Sequence, residues 1–400
     1  MLNRVSPARS TGDDGGAIDW VARAREVAPV VAAAAHRIED NREIPDDVVS
    51  ALHGAQMFRL LLPRSCDGGE LQPAEYVRVI EEIAKADAST AWCMGQGNGG
   101  AIAAAYLDRR IAREIFGDAR AVVASGPSFG TAVAVDGGYR VSGAWAFASG
   151  CKHATWLAAH CLVQEGDGTQ RLDPDGQPFE RTMFFPKSKA TFTDIWHVVG
   201  LKGTGSDKYA VEDLFVPADY SYTREWRPER RETGTLYRFS NYHMFGVAFA
   251  GVALGIARAT LDAFIALARE KVPRYATQVL RDSLRIQYET GLAETRLQAA
   301  HAFLLTTLRE LWEVAERSDI IPLEERARLR MAIINSSYTA RKVVDAAYYA
   351  AGATSVFESN PFERRFRDMH TVSQQVQAHA SNFELLGQHL LGLNPKSKYL

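Results

Sequence analysis

The sequence predicts an α+β fold in three parts. Three observations carry this: helical texture over residues 17–118, a switch near Ala119 to short β-branched runs broken by glycine through residue 235, and a return of the helical period over 236–400. No glycine-rich dinucleotide fingerprint follows a strand and no Walker loop occurs, so a nucleotide-binding α/β sheet is excluded. Residues 1–16, rich in Ser, Gly and Asp, are expected to be a disordered start.

In the first part the expected helices are "IDWVARAREVAPVVAAAAHRIEDN", "IPDDVVSALHGAQ" with Pro45 near its first turn, "QPAEYVRVIEEIAKADASTAWCMGQGNGGAIAAAYL" and "DRRIAREIF". Apolar side chains recur three and four apart, as at Val77, Ile80 and Ile83. The middle part is expected to be antiparallel β, with hairpin turns at Asp136-Gly137-Gly138 and Gly166-Asp167-Gly168. In the last part Leu254, Ala257, Leu261, Phe264 and Ala268 form one apolar stripe, and a four-helix bundle is the economical way to bury it.

With 46 Lys+Arg against 48 Asp+Glu the net charge is −2, which gives no electrostatic footprint for nucleic acid or an anionic membrane. The apolar runs "VAPVVAAAA" and "HMFGVAFAGVALGIA" fall short of the roughly 20 residues of a membrane span. The four cysteines have no metal-ligand spacing, no signal-peptide pattern opens the chain, and a reducing cytoplasm is the expected location.

Four collinear motifs, "IAKADASTAW" (83–92), "GAWAFASG" (143–150), "GLKGTGSDKYAVEDLFVP" (200–217) and "PFERRFRD" (361–368), make the chain resemble the acyl-CoA dehydrogenase superfamily over about residues 18–392. The resemblance implies a flavin between the β domain and the bundle, in a homotetramer. Dehydrogenation of an acyl thioester needs a base at the α-proton. The position of the family's glutamate is Val376, between Gln375 and Gln377. Asp262 and Glu384, the nearest acids, are displaced from where a base is needed.

"AFASGCKHATW", "GTGS" and His370 are closer to the branch that works as the oxygenase half of two-component flavin monooxygenases. That branch implies FMN or FAD reduced by a partner flavin reductase, O₂ as co-substrate, and hydroxylation of an aromatic or heteroaromatic small molecule through a C4a-hydroperoxide. The resemblance casts Ser149 as the group facing the flavin N5/O4 edge and His370 as the residue that stabilises the hydroperoxide or takes the substrate proton. Phe147, on the same strand face, lies against the ring; Gly203, Thr204, Arg274 and Tyr349 are further cofactor candidates, Arg274 across a subunit boundary. Trp92, Asn98, Ser125, His153 and His243 are the substrate-side candidates, and no metal is expected. The phenol hydroxylases of this branch carry a histidine near the position of Asn98, which argues here against a simple phenol. A dehydrogenase with a displaced base and a flavin-free binding protein are the competing readings.

Overall fold

The computed structural model describes residues 18–393, so the expectation for residues 1–16 lies outside the described residues. Six helices come first: α1 Trp20–Ala33, α2 Ala35–Asn41, α3 Asp46–Gly54, α4 Pro73–Ala86, α5 Ala88–Ala101 and α6 Arg109–Phe116. Their boundaries follow from local chemistry. Asp19 caps α1 by accepting from Ala22 N, Pro73 fills the first turn of α4, and Asp87 caps α5 by accepting from Thr90 N at 2.7 Å. The run 72–107, expected as one continuous helix, breaks at Asp87, whose extended backbone ends α4.

Eight strands follow: β1 Val123–Ser125, β2 Gly130–Val135, β3 Gly138–Trp145, β4 Trp156–Gln164, β5 Glu180–Pro186, β6 Thr191–Thr193, β7 Lys208–Pro217 and β8 Ser221–Tyr222. They form one sheet in the order β6-β7-β3-β2-β4-β5-β8. The sheet is mixed, whereas the hairpin signals predict a purely antiparallel one. β1 and β2 both run parallel to β4 and share one edge of it, Ser125 opposite Ala158 and Gly130 opposite Cys161. The link between β3 and β4, residues 146–155, is too long for a hairpin, and it is this link that carries the site.

The last part is built from α7 Asn241–Glu270, α8 Leu284–Arg317 and α9 Leu323–Ala351, with α10 Phe362–Val372 closing against α7 and α9 and a short α11 Asn382–Leu390. α7 is long and apolar enough to cross a membrane, which the shorter apolar run read from the sequence had not reached; 83% of that stretch is buried inside the protein. Its glycines and alanines let α4, α5 and α9 approach closely. One hydrophobic core joins the N-terminal helices to the bundle, and β4 and β5 alternate against it. Ala158 and Phe184 face the helices, whereas Leu157, Ala159, Met183 and Phe185 fill a second core within the curved sheet.

Candidate active site

α5 is buried on nearly every side between the sheet and α7. Trp92 lies flat on Phe249 of α7, ring centroids 4.0 Å apart at 12°, and Phe245, one turn earlier on α7, extends the aromatic wall at 6.3 Å from Phe249. The indole Nε1 donates to Ser149 Oγ at 3.0 Å. Ser149 Oγ lies 2.7 Å from Ser206 Oγ, Ser206 Oγ lies 2.7 Å from Thr204 Oγ1, and Thr204 Oγ1 donates to the Leu201 carbonyl at 2.9 Å. A hydroxyl chain thus joins α5, the 146–155 link and the 201–206 turn. It is closed on the far side by Trp196 Nε1, which donates to the same carbonyl at 3.0 Å, and by Leu201 N, which donates to Asp368 at 2.6 Å.

Phe147 stands beside this chain. β3 ends at Trp145, so Phe147 and Ser149 lie past the strand, and the expectation that they share a strand face is corrected. Phe147 adopts φ +58°, a conformation that costs a bulky residue energy and persists only where the surroundings impose it. The ring is 59% exposed and meets Trp196 edge-on at 5.8 Å. A strained, exposed aromatic beside a partly engaged serine hydroxyl fits one face and one polar edge of a planar heteroaromatic ring such as isoalloxazine. Ser125, half-buried at the end of β1, belongs to the same neighbourhood, because a side chain on Gly126 would meet Ala146 O at 2.3 Å.

The other predicted residues are placed differently. Asn98 is fully committed: Oδ1 accepts from Leu60 N at 2.7 Å and Leu61 N at 3.3 Å, and Nδ2 donates to Met57 O and Met94 O. No atom is left for a substrate, and Asn98 is a structural residue fixing the 57–61 chain to α5. Gly203 is packed against α2, where a Cβ would sit 2.1 Å from Ile38 Cγ2, so the close approach of the turn requires glycine there. Thr204, buried, spends its hydroxyl inside the chain described above. His370 pairs with Asp345 of α9 at 2.8 Å and packs on Phe366, in the α9–α10 seam rather than with Ser149. Arg274 is exposed, lying over the Tyr275 ring, and Tyr349 is 78% exposed.

His153 and His243 both have a buried Nε2 without a partner, and burial pushes each imidazole down to about 3, so both are neutral. His153 lies behind the site, its Nε2 about where a side chain on Gly150 would touch it at 3.1 Å. His243 is at the start of α7, where Arg330 adds to the effect of burial.

Among the described residues, none of the three candidate positions for the missing base offers a free, buried carboxylate. Val376 is 62% exposed, in the turn that follows α10. Asp262 is bonded to Arg258 at 2.6 Å, and Glu384 lies exposed on α11. Arg367 and Asp368 do not pair with each other. Arg367 bonds Glu39, Glu363 and the Val199 carbonyl, while Asp368 holds Leu201 N, so both tie the β domain to α10. Ser206, Trp196 and Phe249 went unrecognised in the sequence. Ser206 sits in the glycine turn, and Phe249 follows Phe245 by one helical turn.

The fold is the architecture of an acyl-CoA dehydrogenase, and the likeness to known proteins makes the chain a flavin-dependent oxygenase. Sequence profiles of the acyl-CoA dehydrogenase N-terminal and C-terminal domains match residues 20–110 and 247–380, together more than half of the chain. The chain belongs to the acyl-CoA dehydrogenase superfamily, and its full-length homologues are the oxygenase components of two-component flavin-dependent monooxygenases. The indole-3-acetate monooxygenase of Pseudomonas putida is 28% identical over 90% of both chains. The flavin-dependent monooxygenase oxygenase subunit HsaA of Mycobacterium tuberculosis is 27% identical over 92% of this chain and 94% of its own. Among solved structures, XiaF from Streptomyces in complex with FADH₂ and glycerol superimposes with a TM-score of 0.87 at 26% identity, covering 95% of this chain and 97% of that one. The protein is a flavin-dependent monooxygenase of the oxygenase-component type.

Proposed function

We propose that the protein takes FMN or FAD reduced by a separate flavin reductase and, with O₂, hydroxylates an aromatic or heteroaromatic small molecule that packs against Trp92, Phe245 and Phe249. One observation carries the reading: a strained, exposed Phe147 beside the Trp92–Ser149 hydrogen bond, in a chain that has Val376 at the position of the dehydrogenase base. Bound reduced flavin supplies the activation of O₂. The residues supply the rest. Ser149 offers its hydroxyl oxygen to the N5 edge, Phe147 and Trp196 cover the ring, and the aromatic wall keeps water from the substrate.

Arg274 and Tyr349, exposed on a single chain, reach the cofactor of a neighbouring subunit in a homotetramer. The apolar exposure of Tyr275, Leu284 and Tyr288 supports such contacts. Four free, buried thiols fit the reducing cytoplasm. A dehydrogenase with a displaced base is disfavoured because Asp262 is bound by Arg258 and Glu384 stands on the surface.

The test is oxygen uptake with photoreduced FMN or FAD and an aromatic acid such as indole-3-acetate or a heteroaromatic such as indole. Product formation that requires reduced flavin is expected, and Ser149→Ala lowers its yield about tenfold or more by sacrificing the N5 contact. Reduction of oxidised flavin by an acyl-CoA would sink the proposal.

A further inference from the structure

The three hydroxyls between Trp92 and Leu201 make every one of their hydrogen bonds in one direction, and lose one in the other. The indole N–H at one end is a donor and nothing else, and the Leu201 carbonyl at the other end is an acceptor and nothing else. Thr204 gives its single proton to Leu201, so it must accept from Ser206. Ser206 has then spent its proton and must accept from Ser149. Ser149 therefore donates to Ser206, accepts from Trp92, and is left with one lone pair. Reversing the chain would cost the Thr204 bond to the Leu201 carbonyl, which would then keep only the Trp196 indole N–H, and the turn that presents this carbonyl is held in place by the Leu201 amide on Asp368.

We propose that Ser206 and Thr204 are positioning residues that lock Ser149 as a hydrogen-bond acceptor toward the cofactor, and that this lock selects reduced over oxidised flavin. The proposal rests on the flavin reading above. Reduced isoalloxazine carries a hydrogen on N5 and satisfies the spare lone pair. Oxidised isoalloxazine presents a bare N5 lone pair, and Ser149 has no proton to offer it. A buried mismatch of this kind is unfavourable, whereas a matched pair is mildly favourable.

The chain also predicts which variants matter. Ser206→Ala removes the acceptor of the Ser149 proton and frees it for oxidised N5. Thr204→Val removes the acceptor of the Ser206 proton, so Ser206 can donate to Ser149 and the direction is lost. Trp92→Phe deletes only the donor end; Leu201 still fixes the direction, and Ser149 stays an acceptor.

Dissociation constants for oxidised and photoreduced FMN and FAD, measured anaerobically on the full chain and the three variants with folding checked by circular dichroism, test this. Wild type is expected to bind reduced flavin about tenfold or more tightly than oxidised. In Ser206→Ala and Thr204→Val that ratio falls about tenfold, which lowers the midpoint potential preference of the bound flavin by about 30 mV, whereas Trp92→Phe keeps the wild-type ratio. A folded Ser206→Ala with the wild-type ratio, or a wild type that binds both states equally, overturns the lock alone. A wild type that binds neither state overturns the proposed function with it.

Discussion

Asn98 and Ser149 are both buried polar residues in segments that face the site, and only their partners separate them. All four hydrogen-bonding positions of Asn98 are taken by backbone, whereas Ser149 keeps a lone pair. Residue types and spacing can announce a buried amide or hydroxyl. They do not say who bonds it, and for this reason the motifs could single out both residues while only the structure shows that Asn98 has no bonding position to spare.

Asp368 shows the same limit with a measurable consequence. Burial, reinforced by Asp87, pushes its carboxyl up to about 7, although its Oδ1 accepts from Leu201 N. An unfolded aspartate ionises near pH 3.8, so between about pH 4 and 7 the unfolded chain releases a proton that the folded chain keeps, and stability falls as pH rises through that window. Asp368→Asn keeps an acceptor for Leu201 N and removes this loss. Thermal melts should show the variant level with wild type near pH 4 and more stable by a few kcal/mol at pH 8, an order-of-magnitude figure from about 1.4 kcal/mol per pH unit; a variant less stable at pH 8 contradicts the assignment. His153 and His243, held near 3, act in the opposite sense, and their contribution is lost as pH falls below about 6.5.

At the scale of elements, helical periodicity located the N-terminal and bundle helices, because their apolar stripes are what the cores bury. The β region was read less well. Turn signals report hairpins, but the parallel pairing of β1 and β2 with β4 depends on where the 146–155 link returns, a tertiary outcome with no local signature. The glycines of the 200–206 turn are explained by close approach: Gly203 lies against Ile38 and Gly200 against the Arg367 carbonyl. Gly203→Ala forces that turn away from α2, and the expected cost is about 1–3 kcal/mol by denaturant unfolding. Because Thr204 and Ser206 move with the turn, reduced-flavin affinity should fall in the same variant. Unchanged stability would mean that α2 yields without cost.

At the scale of the molecule, the order of helical, β and helical parts together with four short motifs was enough to place the chain in its superfamily. The substitution of Val376 for an acid points away from dehydrogenation from sequence alone. Assembly was less accessible, because an exposed apolar residue looks the same in sequence as a buried one. Tyr275, Leu284, Tyr288 and Tyr349 are all strongly exposed on the single chain. Light scattering is expected to find a tetramer, and Tyr349→Arg is expected to shift it toward smaller species or weaken flavin retention. A wild type that is monomeric throughout would rule out cofactor contacts across subunits.

The most direct measurement mixes the protein, loaded anaerobically with reduced FMN or FAD, with oxygenated buffer in a stopped-flow spectrophotometer. If the site is an oxygenase site, oxidised flavin reappears after a lag that free reduced flavin does not show, and the lag shortens in Ser149→Ala. If oxidised flavin returns as fast as it does without protein, while an acyl-CoA bleaches oxidised flavin bound to the same chain, the oxygenase account is wrong.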